Sequence, residues 1–348
     1  MRKTSFLFVL LPLPLLLLAA AVYPTQILRI PTSSPVPGVS SQTVHITRIY
    51  RAPAVLIDSG LEIPDLITNM AFDSDGDLWL CSLEGGPYFY SVRMNELTDM
   101  VFQSTVTGLF ASDEGVWILQ RENATLYRGM EAIRQVHFPT GTIPVSGLET
   151  KNATLFATSS GVFEAMATND EAHNVGFKER SYSVALHSRG LLISTDSGLK
   201  IWSVTGTKSF LPAEFIPKRG IFASVVTTPQ GIFAGTDQDG FLQLSRGNWQ
   251  RLVFARRNLN LNSVNASTIY HGEPWFGTLD GSVVFESKGN WHWIEVGEFP
   301  VTAVATNGKS LYVWSGGKLL EVVPDEEKTF ISSSARAGRE VPMVPAQQ

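Results

Sequence analysis

The chain has 348 residues, 44% hydrophobic and 17% charged, with 29 glycines, 19 prolines and a single cysteine. Soluble domains carry roughly 25% charged residues, so this composition excludes a disordered polyampholyte, a coiled coil and a disulfide-stapled mini-domain. The net charge of -5 offers no basic surface, which argues against nucleic acid as the main partner.

At the N-terminus, Met1-Arg2-Lys3 is a short basic head before an apolar run from Phe6 to Val22. Ala19-Ala20-Ala21 supplies the small residues that a signal peptidase needs. Pro12 and Pro14 weaken the run as a spanning helix, because each removes a backbone donor. Its 17 residues sit at the lower edge of the roughly 17–25 that cross a bilayer. Residues 1–22 therefore read as a signal peptide or as an N-terminal membrane anchor, and either takes the remainder out of the cytosol. No Cys follows the run, which excludes a bacterial lipoprotein anchor. Loss of residues 1–21 removes Arg2 and Lys3 and no acid, leaving 25 basic against 32 acidic groups, or −7. Residues 23–43, with Pro24, Pro31, Pro35 and Pro37, read as an extended Pro/Ser-rich spacer. Residues 332–348 read as a disordered tail.

Between these ends one pattern recurs: an alternating apolar strand, a Gly or Asn turn, and a second strand with a large central residue. Its clearest copy is Ile67–Phe72, then Asp73-Ser74-Asp75-Gly76, then Asp77-Leu78-Trp79-Leu80-Cys81. The central residues are expected at Trp79, Trp117, Phe156, Leu192, Phe233, Trp275 and Tyr312, in steps of 38, 39, 36, 41, 42 and 37. Period-2 alternation dominates, so each unit holds four short strands rather than a helix pair. Four-stranded units of roughly 40 residues are the signature of β-propeller blades. A second register agrees: Gly247-Asn248-Trp249 recurs as Gly289-Asn290-Trp291, 42 positions later, where each Trp can cover the gap between blades. The expected fold is all-β, a seven-bladed β-propeller of four-stranded antiparallel blades over residues 44–331. An N-terminal strand from residues 44–58 is expected to join the last blade near Lys328 to Ser332, because an open ring leaves two sheet edges unpaired.

The blades resemble the two-component-regulator propeller family, whose repeats read roughly D-x-x-G-x-L-W-x-G-T. Asp73-Ser74-Asp75-Gly76-Asp77-Leu78-Trp79, Ile232-Phe233-Ala234-Gly235-Thr236 and Pro274-Trp275-Phe276-Gly277-Thr278 carry the match, with Leu192–Gly198 a looser copy. Blades two, three and seven depart, with Gln120, Ser159 and Ser315 near the Thr position. In that family such propellers usually precede a membrane helix and a kinase or similar output module. This sequence shows no such module, so the resemblance implies a fold and not an activity.

Candidate chemistry is sparse. Asp73, Asp75, Asp77 and Glu84 occupy positions 1, 3, 5 and 12 of a calcium-loop pattern, but the required Gly is Leu78, and Asp-rich Gly turns are ordinary hairpin chemistry. Ser197-x-x-Lys200 matches a serine-nucleophile motif formally, yet here a turn enters a strand and no helix aligns the pair. The six histidines show no metal-ligand spacing. Cys81 reads as a packed thiol, and the sequons at Asn123, Asn152 and Asn265 are about as many as chance supplies. No catalytic residue, metal ligand or cofactor is expected.

Binding is expected on the face where second-to-third turns and outer-to-inner loops gather. The turns carry Glu84, Arg121, Asp196, Asp237, Asp239 and Asp280, and the loops carry Lys218, Arg219, Arg256 and Arg257. This mixed-charge funnel suits a protein, a peptide or a polar ligand, with the membrane engaged only through an uncleaved N-terminus. The leading expectation is a non-enzymatic, extracytoplasmic (periplasmic, secreted or membrane-anchored) binding or sensing module. The alternatives are a propeller lyase or hydrolase and a structural subunit of a cell-envelope assembly.

Overall fold

The computed structural model describes residues 41–46, 49–63, 65–83, 86–102, 104–203, 206–209, 222–236, 240–245, 248–254 and 263–324. The expected signal or anchor, most of the spacer and the tail lie outside them. Three strands precede the first blade: β1 (Ser41–Ile46), β2 (Tyr50–Arg51) and β3 (Ala54–Glu62). Blade one is β4 (Ile67–Phe72), β5 (Leu78–Ser82), β6 (Pro87–Ser91) and β7 (Glu96–Asp99). Blade two is β8 (Val106–Ser112), β9 (Gly115–Gln120), β10 (Asn123–Arg128) and β11 (Glu131–His137). Blade three is β12 (Pro144–Glu149), β13 (Ala153–Thr158), β14 (Gly161–Met166) and β15 (His173–Asn174). Blade four is β16 (Ser181–His187), β17 (Gly190–Thr195), β18 (Gly198–Ser203) and β19 (Gly206–Ser209). Blade five is β20 (Phe222–Thr228), β21 (Gly231–Thr236), β22 (Phe241–Ser245) and β23 (Asn248–Phe254). Blade six is β24 (Val264–Tyr270), β25 (Glu273–Thr278), β26 (Ser282–Ser287) and β27 (Asn290–Glu295). Blade seven has only three strands of its own, β28 (Val301–Thr306), β29 (Leu311–Ser315) and β30 (Lys318–Pro324).

Strand order within each blade follows chain order, and the first strands of neighbouring blades touch around the axis. The apolar core lies between blades. Trp79 and Cys81 of blade one pack with Leu109 and Val116 of blade two, and Trp314 of blade seven packs with Met70 and Leu78 of blade one. Trp249 and Trp291 each face the preceding blade, as their repeat register predicts.

Pairing corrects the register of blade three. Trp79, Trp117, Leu192, Phe233, Trp275 and Tyr312 stand opposite Ala71, Phe110, Ala185, Val226, Thr268 and Ala305. In blade three that place, opposite Leu148, belongs to Leu155 and not to Phe156. Alternation then turns Phe156 the other way, into the aromatic cluster between blades two and three, where its ring centroid lies 5.5 Å from Trp117. Opposite it, Gly147 makes room for Phe110, since a Cβ there would come 2.3 Å from the Phe110 ring.

Ring closure comes from the N-terminus. β3 pairs antiparallel with β30, from Ala54 opposite Pro324 to Glu62 opposite Lys318, and so completes blade seven. Its partner is thus Lys318–Pro324; residues 328–332, where the sequence pointed, lie outside the described residues. On the inner side, Thr302 Oγ1 of blade seven donates to the Ile67 carbonyl of blade one at 2.6 Å. The earlier part of the stretch expected to close blade seven pairs elsewhere. β1 adds in parallel to the outer edge of blade five and β2 to that of blade six, so the folded region begins within the expected spacer. Val44, Ile46 and Ile49 rest on the core between blades five and six.

Candidate functional site

Strand directions bring the second-to-third turns and the outer-to-inner loops to one face. The residue that ends each second strand is buried: Ser82, Gln120, Thr158, Thr195, Thr236, Thr278 and Ser315. Blade three therefore holds Thr158 at the Thr position, and not Ser159. In blades three to six this Thr donates to a carbonyl at the start of the third strand or just before it, at Gly161, Gly198, Gly240 and Ser282, which fixes the turn. In blades one, two and seven the side chain instead reaches the incoming loop, at Asp65, Ser104 and Phe299. The motif's Thr is thus a turn device, and its departures are an alternative way to hold the same face.

Of the expected binding residues, Arg121, Asp196 and Asp280 are described. They stand on the turns of blades two, four and six, and each is engaged within its own blade. Arg121 is exposed, with Nε 4.0 Å from Glu122. Asp196 accepts a hydrogen bond from Tyr182, whose ring lies under the Arg180 guanidinium. Burial and that carboxylate push the Tyr182 phenol up to about 12. Asp280 accepts from Thr278, and its Oδ2 is buried without a partner. Gly281 beside it needs its positive φ of 78°, and a Cβ there would meet the Gly297 carbonyl at 2.1 Å. The three thus stand apart, each held by partners of its own blade. Glu84, Asp237, Asp239, Lys218, Arg219, Arg256 and Arg257 lie outside the described residues.

The other motifs resolve into structure. Asp73 Oδ1 accepts the Asp75 and Asp77 N–H groups at 3.0 Å, and burial raises its pKa, so this carboxylate caps its own turn. Among the described residues no group of three potential metal ligands forms. Glu179 sits between Ser197 and Lys200, accepting from both, so the Lys200 ammonium is ion-paired. Cys81 is buried, and burial pushes its thiol up to about 12, which keeps it protonated. The histidines are dispersed: His45 on β1, His137 on β11, His173 on β15, His187 ending β16, His271 in the turn after β24, and His292 on β27.

The concave site on this half of the ring escaped the sequence. A cavity of about 820 Å³ opens between the loop after β7 and the outer half of blade two. Val101, Phe102 and Ser104 of that loop form one wall, and residues of β10 and β11 form the other. Alternation sends Ala124 and Leu126 toward blade three, and Asn123, Thr125 and Tyr127 into the cavity. Gln135 stands opposite Thr125 across the strand pair. Tyr127 packs between Trp79 and Phe102, with centroids 5.2 and 5.8 Å away. Exposed Ile133 and Val101 extend the apolar wall, and Gln120 is held by Ser104 at 2.9 Å. Asn123 Oδ1 is buried without a hydrogen-bond partner. Among the described residues expected at the site, Arg121 borders this cavity, at its rim. The only sequence signal was the period-2 run Asn123-Ala124-Thr125-Leu126-Tyr127, which puts polar atoms on one face of a strand.

No family model matches the sequence, and no curated protein matches it. Among solved structures, a chain from "Crystal Structure of Mitotic Checkpoint Complex" is similar at TM-score 0.56 and 13% identity, covering 86% of this chain and 99% of that one. A chain from "Structure of U3-55K" is similar at TM-score 0.60 and 10% identity, covering 77% of this chain and 98% of that one. At such identities the likeness is one of fold. This chain is a seven-bladed β-propeller.

Proposed function

We propose that the protein is a non-enzymatic binding propeller that works outside the cytosol. The observation that carries the binding reading is the cavity of about 820 Å³ between the loop after β7 and the outer half of blade two, lined by Asn123, Thr125 and Gln135 among others. Its size falls within the roughly 300–1,000 Å³ of ligand pockets. Dispersal of the histidines over blades two to six supports binding over a histidine-based lyase or hydrolase. The extracytoplasmic assignment rests on the basic head and apolar run of residues 1–22. No helix among the described residues is long and apolar enough to cross a membrane. The resemblance of the repeats to two-component-regulator propellers is consistent with a sensing role.

The test is a thermal-shift screen of the protein against amino acids, short peptides, nucleotides, organic acids and oligosaccharides. At least one class is expected to raise Tm in a saturable way, with the rise reduced in Arg121→Glu. Absence of any stabilising class, or turnover of the ligand that binds, overturns the reading. Amino-terminal sequencing of the exported chain checks the address, with a new terminus expected after Ala21 if the segment is cleaved.

A further inference from the structure

We infer that the outer face between blades seven and one receives an extended strand of another protein, alternating apolar and basic residues, which pairs with the free edge of β3. This surface is separate from the cavity on blades one and two and goes beyond the reading given for it.

The sheet edges supply the first observation. β1 adds a parallel fifth strand to the outer edge of blade five, and β2 does the same on blade six. β3 is itself the outermost strand of blade seven, and among the described residues no strand pairs with its outer edge. An open row of N–H and C=O groups is a template for a further strand. The bulge between Asp58 and Glu62 ends the regular stretch, so residues 54–58 are what remains to pair.

The side chains supply the second. Leu56 and Val322 pack toward blade six, so alternation turns Val55 and Ile57, with Val323 and Glu321 opposite them, toward blade one. Leu97 and Asp99 of β7 face back, since they pair with Tyr90 and Tyr88, which pack on the core between blades seven and one. Val55 is 59% and Ile57 46% exposed, and Val323 and Leu97 are exposed as well. Four such residues on two facing walls make an apolar strip of the kind that marks an interaction surface.

Charge selects the occupant. Among the described residues Glu321 and Asp99 have no ion pair, and Lys318 is held by Asp58 and Glu62 at 3.3 and 2.8 Å. The neighbouring phenols feel these acids. Tyr88 is pushed up to about 12 by burial and then by Asp65 and Asp99, and Tyr312 is raised by burial and then by Glu321. Arg93, on the turn between β6 and β7, offsets only part of this. A second copy would set the same acids against themselves. The chain's own continuation past Pro324 opens with Asp325-Glu326-Glu327, which brings like charge to the end of β30. A foreign strand with Lys or Arg between its apolar residues complements both the strip and the acids.

The test combines hydrogen exchange at residues 54–58 of the full chain with calorimetric titration of an amidated decapeptide that alternates Lys and Val. Fast exchange is expected in the free chain, slowed by the peptide, with a Kd of about 100 μM or tighter. Decapeptides alternating Glu and Val, or Lys and Ser, should each bind at least about tenfold more weakly. The same loss is expected for the Lys and Val peptide with the double variant Val55→Ser, Ile57→Ser and with Glu321→Gln. Val55 and Ile57 are exposed, so their replacement leaves the fold intact, and Met130→Ser, exposed on blade two, serves as the unaffected control. No binding, equal binding of the three peptides, or equal binding by the double variant and Met130→Ser overturns the assignment. Slow exchange in the dilute free chain means that the chain's own residues cover the edge. Slowing that grows with protein concentration means that a second copy does, and either outcome also overturns it.

Discussion

At the scale of single residues, His187 shows how position sets chemistry. It ends the inner strand β16, half-buried, with its Nδ1 accepting the Arg189 N–H at 3.2 Å. Burial, and then the Arg189 cation, pushes its pKa from 6.5 down to about 4. The folded state therefore favours the neutral ring, while the unfolded chain takes up a proton at ordinary pH. Stability from this group is complete above about pH 6.5 and is lost as pH falls toward 4. After allowance for solvent screening of a partly exposed ring, the loss is about 1–2 kcal/mol. Urea unfolding of wild type and His187→Asn between pH 7.5 and 4.5 should show a shallower acid limb for the variant. Parallel limbs would sink the idea. Blade three shows where residue-level reading slips. Leu155 and Phe156 are both large and adjacent, and a one-residue shift reverses the face; only the pairing of Leu155 with Leu148 decides.

At the scale of elements, the N-terminal strands divide into a closure and a strap. β3 supplies the fourth strand of blade seven, with Ser59 donating to the Leu319 carbonyl at 2.9 Å and Lys318 between Asp58 and Glu62. Those ion pairs are exposed and contribute little; the ladder and the burial of Leu56 matter more. β1 adds Val44 and Ile46 to an already complete blade. Deleting residues 1–48 should thus cost about 2 kcal/mol of apolar burial and lower Tm by about 5 °C while the ring stays closed. Deleting residues 1–63 leaves β30 as a bare edge, and the chain should aggregate or fail to give a cooperative melt. Scanning calorimetry with light scattering separates the two outcomes, and equal melting of the two truncations would refute this division. Both stretches were legible as strands, since residues 44–50 alternate and residues 54–57 are apolar outside any repeat; the partner of the first was not, because a parallel strand can add to any finished blade.

At the scale of the whole molecule, the core belongs to the interfaces, so no blade has one of its own. A chain stopped after Pro300, lacking β28 to β30, removes the packing on both sides of blade seven. It should lose near-ultraviolet circular dichroism and cooperative melting throughout, where an open solenoid would keep its remaining repeats folded. Retention of a native-like signal by that truncation would count against a closed ring. The sequence by itself determined the class, the number of blades and their spacing, since period-2 alternation and a recurring unit are local properties of the chain. Low charge and abundant Gly follow from the same cause, buried strands joined by tight turns. It also placed Arg121, Asp196 and Asp280 on one shared face, because strand order alone sends those turns to one side. Only the tertiary structure decided that they stay apart on three separate blades. It alone revealed the cavity at Asn123, Thr125 and Gln135, because its walls come from segments of neighbouring blades, and no residue carries that fact alone.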